Sequence, residues 1–157
     1  MAGEEIALTI VIPLLVGLII GILEAYFVYE DENMTSGKDF LGDMWHGLLF
    51  ALVGVLVATN VPFLISQEFF PEFLKGFLLV DEAGRSLVIS IIITLIMMAK
   101  MVTSHAIKGI SGDGFKEKFW HKILVSALVG FAPYYIDLFR PMIEAWVMGT
   151  FLENLPL

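Results

Sequence analysis

The sequence predicts an all-α, polytopic membrane protein with four transmembrane helices, set out as two tandem two-helix units of one orientation. Three observations lead there: long apolar blocks without charge, polar turn-forming connections between them, and a motif that occurs in both halves of the chain. No charged residue stands between Ile6 and Leu23 or between Gly47 and Gln67. A run of about 18 or more such residues crosses a hydrocarbon core roughly 30 Å thick. Composition agrees, since 58% of the 157 residues are hydrophobic and 17% charged. Soluble domains run nearer half and a quarter. Backbone in lipid must satisfy its own hydrogen bonds, so the spans are helices unless the chain shows the short alternating strands of a barrel. The blocks show no such alternation.

The four spans are expected at 6–29, 40–66, 87–107 and 115–136. Ser36 with Asp39 suits the start of the second helix as a capping box, and Asp113 suits that of the fourth. The connections carry Thr35-Ser36-Gly37, then Asp81-Glu-Ala-Gly-Arg-Ser86, then Gly109-Ile-Ser-Gly-Asp-Gly114. Each second helix is followed by a proline and then apolar residues at helical spacing: Phe70, Phe73, Leu74 and Phe77 in one case, Met142, Ile143, Trp146 and Val147 in the other. These segments, 69–80 and 140–151, are too short to span and suit helices lying in the interface plane. The start, Met-Ala-Gly-Glu-Glu, lacks the positive charge and cleavage site of a secretory signal, so the first block is expected to be a retained helix.

The two halves, 1–80 and 81–157, share a motif. Residues 36–46 (SGKDFLGDMWH) align with 111–121 (SGDGFKEKFWH), and one residue out of that register Ala51-Leu-Val-Gly54 matches Ala127-Leu-Val-Gly130. The chain has only three tryptophans and three histidines, so an aligned Trp-His pair points to tandem duplication. With two crossings per unit, the units are expected to be parallel. The face with the first and third loops holds Lys38, Lys108, Lys116, Lys118 and Lys122, five cations, against Lys75, Arg85 and Arg140, three, on the face with the termini. The positive-inside rule then puts both termini outside.

Several residues stand out as carriers of chemistry. Glu24 and Lys100 are the charges deepest in apolar blocks, and the repeat puts them at nearly equal depth, as an intramembrane ion pair would require. The alternative is that each extends its charge separately toward the inner surface. His46 and His121 are equivalent, and with His105, which takes the place of Glu30, and Asp43 they mark a polar inner mouth. Interfacial anchoring is the simpler reading of the Trp-His pairs, and a zinc or copper site the sharper one. Gly17 and Gly21, Ser126 and Gly130, and Gly54 are small residues that let helices approach closely, within the chain or between copies.

Other classes are excluded or unmarked. The chain has no cysteine, and its formal net charge of -8 argues against nucleic acid as a partner. No nucleophile elbow, phosphate loop or carboxylate pair appears, so an enzyme and a bound cofactor are not expected. The leading expectation is a non-catalytic subunit of a membrane complex or homo-oligomer, whose partners are the lipid bilayer and other subunits or copies. A small ion or proton transporter or channel using Glu24 and Lys100, and a metal-handling membrane protein, are the alternatives.

Overall fold

A computed structural model describes residues 8–32, 40–67, 70–78, 80–81, 83–110, 118–150 and 155. Among the described residues the chain is all helical, in the order α1 (Val11–Glu32), α2 (Phe40–Thr59), α3 (Val61–Ser66), α4 (Glu72–Phe77), α5 (Leu87–Ile110), α6 (Phe119–Gly130) and α7 (Ala132–Val147). The capping residues expected at 36, 39 and 113 lie outside the described residues. α1 packs along α2 and α5 along α6, while α6 and α7 also reach α1 and α2. The apolar core runs through all of these contacts, from Val11 and Ile12 to Val55, Met97, Val129 and Val147.

Close helix approach follows from the small residues. A Cβ at Gly17 would stand 2.9 Å from the Leu52 Cα, and one at Gly21 2.9 Å from the Leu48 Cα. Two glycines one turn apart therefore let the backbone of α1 lie against that of α2. In the other hairpin a Cβ at Gly130 would run into the Thr94 hydroxyl and the carbonyl of Ser90 on α5. Ser126, one turn earlier, is fully buried and turns its hydroxyl to the Met101 sulfur at 3.5 Å. Gly54 meets Val129 and joins the two hairpins.

The second helix of each half breaks short of its expected end, and for one reason. Pro62 and Pro133 lack a backbone N–H and clash with the preceding turn, which interrupts an α-helix. The residues two places earlier take nearly the same conformation: Asn60 has φ -105° and ψ 26°, Phe131 φ -95° and ψ 12°. α3 resumes after the first break, and α7 after the second. α7 runs on through Pro141 to Val147, where a loop and a separate helix at 140–151 were expected. Its axis turns 68° away from that of α6.

Carbonyls freed at the breaks are taken by side chains, as buried backbone groups require. The Asn60 N–H bonds the carbonyl of Val57 (3.3 Å), and its side-chain amide donates instead to Leu56 O (2.8 Å). That amide also donates to Thr9 O (2.8 Å) and accepts from Thr9 N (2.7 Å), so it pins the segment before α1. After the second break, the Tyr135 hydroxyl donates to Leu128 O at 2.6 Å.

The connection between the halves is a built turn. Asp81 accepts from the N–H groups of Ala83 (3.0 Å) and Arg85 (2.8 Å), and pairs with the Arg85 guanidinium at 2.9 Å. Gly84 has φ +76°, a left-handed conformation that glycine adopts without strain. Ser86 caps α5 by accepting from Ile89 N at 3.2 Å, and donates to the carbonyl of Leu78. Arg85 also lies over the Tyr134 ring, 5.1 Å from its centroid.

Among the described residues one helix, α1 over Val11–Glu30 with a mean hydropathy of 2.4, is long and apolar enough to cross a membrane. The bent pair α6–α7 makes a second if it counts as one broken span, and α2 and α5 hold shorter apolar stretches, Met44–Thr59 and Leu87–Thr103.

Candidate functional site

Polar and charged side chains gather inside the bundle toward the end where residues 33–39 and 111–117 join the helices. Glu24 of α1 is 5% exposed, and His121 and Lys122 of α6 are 1% and 7% exposed. Each belongs to a residue type that is almost never buried without partners or is buried for function.

Glycine at position 47 creates the seat for Glu24. A Cβ there would stand 2.5 Å from the Glu24 Cδ and 2.5 Å from Oε1. Any larger residue at position 47 would displace the carboxylate. One turn further along α1, Phe27 stacks face to face on the His121 ring, with centroids 4.0 Å apart and planes 11° from parallel. Trp120 closes the edge, 5.6 Å from Phe27 at 68°. The imidazole is thus held between two aromatic rings, on the same side of α1 as the carboxylate's helix turn. Such ring pairs contribute about 0.5–1.5 kcal/mol beyond area burial.

The residues singled out by sequence take different places. Lys100 of α5 sets its Nζ 4.7 Å from the centroid of Phe50 on α2. Gly47 and Phe50 are three residues apart, so Glu24 and Lys100 approach the same turn of α2 from different helices. His46 is exposed on α2 beside the exposed Trp45, while its counterpart His121 is buried. His105 lies on α5 and Asp43 on α2, but their side chains are outside the described residues. No group of three or more histidine, aspartate and glutamate side chains gathers to hold a metal among the described residues. Gly17, Gly21, Gly54, Ser126 and Gly130 all serve contacts within the chain.

Sequence reasoning missed Lys122, Gly47 and Phe27. Lys122 was counted with the cations of the inner loops, yet it lies buried on α6 next to His121. A signal existed: on a helix begun at Phe119, the face of His121 and Lys122 continues through Val125, Ser126 and Val129, all buried. Comparison with known protein families, with curated proteins and with solved structures finds no match for this chain.

Proposed function

We propose that the chain crosses the membrane four times, as two hairpins of one orientation with both termini outside, and serves as a non-catalytic subunit of a larger membrane complex or homo-oligomer. The observation that carries this reading is the sidedness of the long helices. Large apolar side chains face outward on each of them: Ile19 and Ile22 on α1, Val53 on α2, Leu95 and Ile96 on α5, Ile123 on α6. The polar residues Glu24, Ser90, His121, Lys122 and Ser126 are turned inward. Water seldom meets so continuous an apolar surface on a soluble monomer, whereas lipid is its natural solvent. The fourth crossing is the bent pair α6–α7, because α6 with its 12 residues is too short to span alone; the later turns of α7 reach the interface, where Asp137, Arg140 and Glu144 form an ion-paired flank, and Leu138, Met142 and Trp146 an exposed apolar one. Phe73 and Phe77 of α4 supply the same kind of anchor in the first half.

Cysteines introduced at positions 36 and 111 should label from one side, and at Ala83 and the C-terminus from the other. Labelling of 36 and 111 from opposite sides would end the parallel arrangement. The mass of the species extracted gently from native membrane then tests the subunit reading, for which a species larger than the 17.5 kDa chain is expected; a monomer would sink it.

Small-ion or proton transport is the second reading, and the buried Glu24, His121 and Lys122 favour it, because ionisable groups inside membrane bundles usually mark pathways. Purified protein in sealed vesicles should then pass a proton or ion flux that Glu24→Gln abolishes. Equal permeability of empty and loaded vesicles would refute it.

A further inference from the structure

We infer that Lys100 is the docking point for a transmembrane helix of a different subunit, which lies in the groove between α2 and α5 and sets an aspartate or glutamate against the ammonium. This rests on the subunit reading and names the partner's chemistry. Lys100 is half-buried on α5, three residues inside the end of the apolar stretch Leu87–Thr103. Its Nζ stands 4.7 Å from the centroid of the Phe50 ring on α2, and among the described residues its side chain forms neither an ion pair nor a hydrogen bond. The Thr103 hydroxyl, one turn on, donates to the carbonyls of Ala99 (2.9 Å) and Lys100 (3.1 Å) instead. Ile96 and Thr103, on the same face of α5 as Lys100, are exposed, as are Phe50 and Val53 on α2. Charged side chains in spanning helices almost always pair or face the bundle interior. Lys100 does neither within this chain.

An aromatic face attracts the ammonium through its quadrupole but carries no net charge, so the compensating anion comes from outside the chain. Depth selects its kind. Phe50 lies six residues beyond Met44, where the apolar stretch of α2 begins, or about 9 Å along the helix. The ammonium is held toward that ring, inside the apolar band, whereas lipid phosphates lie beyond it. A carboxylate on a spanning helix can stand at this level. A second copy of this chain presents none there. The apolar stretches of α1, α2 and α5 hold two acids, Glu24, which is 5% exposed, and Glu30, at the very end of its stretch; α6 holds none. Asp137 and Glu144 of α7 are paired with Arg140. The partner is therefore a different chain. The walls of the groove suit a helix: Phe50, Val53 and Val57 line one side at helical spacing, and Ile92, Ile96 and Thr103 the other, all exposed.

The test uses the full chain in native membrane. A membrane-permeant carbodiimide condenses an amine with a carboxylate in contact, with loss of water, and peptide mass spectrometry identifies what Lys100 has joined. The expected link is to an aspartate or glutamate inside an apolar segment of a different chain. Lys100→Met, which keeps length and removes charge, should leave about tenfold less of the chain in the large, gently extracted species, and Lys100→Arg should retain most of it. A link to Glu24, or to Glu30 of a second copy, would overturn the inference. So would a large species undiminished by Lys100→Met, or one left intact while a phospholipid bound to the wild type is lost. Should Lys100→Met fail to fold, the wild-type link decides, and its absence counts against the site. A wild-type chain that is monomeric from the start defeats the subunit reading itself, whereas a large species indifferent to Lys100 removes this site alone.

Discussion

The two hairpins carry related residues and use them differently. α1 and α2 run side by side for their whole length, because Gly17 and Gly21 bring one backbone onto the other and Gly47 admits the Glu24 carboxylate. α6 is only 12 residues long and gives way to a helix turned 68° from it, so its contact with α5, through Ser126 and Gly130, is shorter. Both second helices break two residues before a proline with matching dihedrals, yet one break is sealed by Asn60 and the other by Tyr135. The shared Trp-His pair diverges most: His46 faces outward, and His121 lies under Phe27. Matching residues, then, stand where both helices break and leave open which side chains the break buries.

The contrast is sharpest at the glycines. Gly130→Ala forces a methyl group onto the Ser90 carbonyl, a backbone atom that cannot swing aside, and should cost about 3 kcal/mol. Gly17→Ala, 2.9 Å from a Cα, should cost about 1–2 kcal/mol. Denaturation in mild detergent measures both, and equal losses would mean that the two hairpins are packed alike.

Next come the histidines. His121→Ala removes a buried ring and its stacking on Phe27, for a loss of about 2 kcal/mol, whereas His46→Ala at an exposed site should stay within about 0.5 kcal/mol. A similar cost at both positions would erase the asymmetry. At the breaks, Asn60→Ala gives up bonds to Thr9 and Leu56 and should cost about 1–3 kcal/mol, and Tyr135→Phe, which gives up one bond, about 1 kcal/mol. The reverse order would make the second break the firmer one.

Glu24 and Lys100 test whether the hairpins communicate electrostatically across α2. In a double-mutant cycle of Glu24→Gln with Lys100→Met, the expected coupling is about 1 kcal/mol, and additivity would show two independent charges. The smallest effect belongs to the turn that joins the halves. The Arg85 N–H above all, with its guanidinium, holds the Asp81 carboxyl below the usual carboxylate range. A lowered value means that this stabilisation is present above the ordinary carboxylate pKa and is lost as pH falls through the folded one. The wild-type melting temperature should therefore slip slightly faster on acidification than that of Asp81→Asn. Parallel curves would mean that the turn contributes nothing.

Much of the helical layout is legible in the sequence. The apolar blocks anticipate α1 and α5 to within a few residues, and the start of α2 but not its end, since the helix breaks after Thr59 ahead of Pro62. Glu24 stands out because a charge in an apolar block has few tolerable surroundings. What stays hidden is which face of each helix turns inward. α2 is apolar almost all round, so periodicity assigns it no inner side, and its two glycines face different neighbours, Gly47 the Glu24 carboxylate of α1 and Gly54 Val129 of α6. For the same reason the two Trp-His pairs look alike in sequence. The difference between them comes from α1, whose Phe27 reaches α6 and stacks on His121. Lys122 escapes notice because a lysine near a helix start is read as reaching back to water.

The bond pair between Asn60 and the backbone of Thr9 gives the first hairpin a mechanical character. Its helices are tied covalently at one end through residues 33–39, and at the opposite end the amide clamps the lead-in of α1 to the terminus of α2. A pair of rods fastened at both ends resists sliding and scissoring alike. Any working stroke of this molecule should therefore be sought in the second hairpin, where α6 and α7 meet at an elbow, with the first acting as the frame against which it moves.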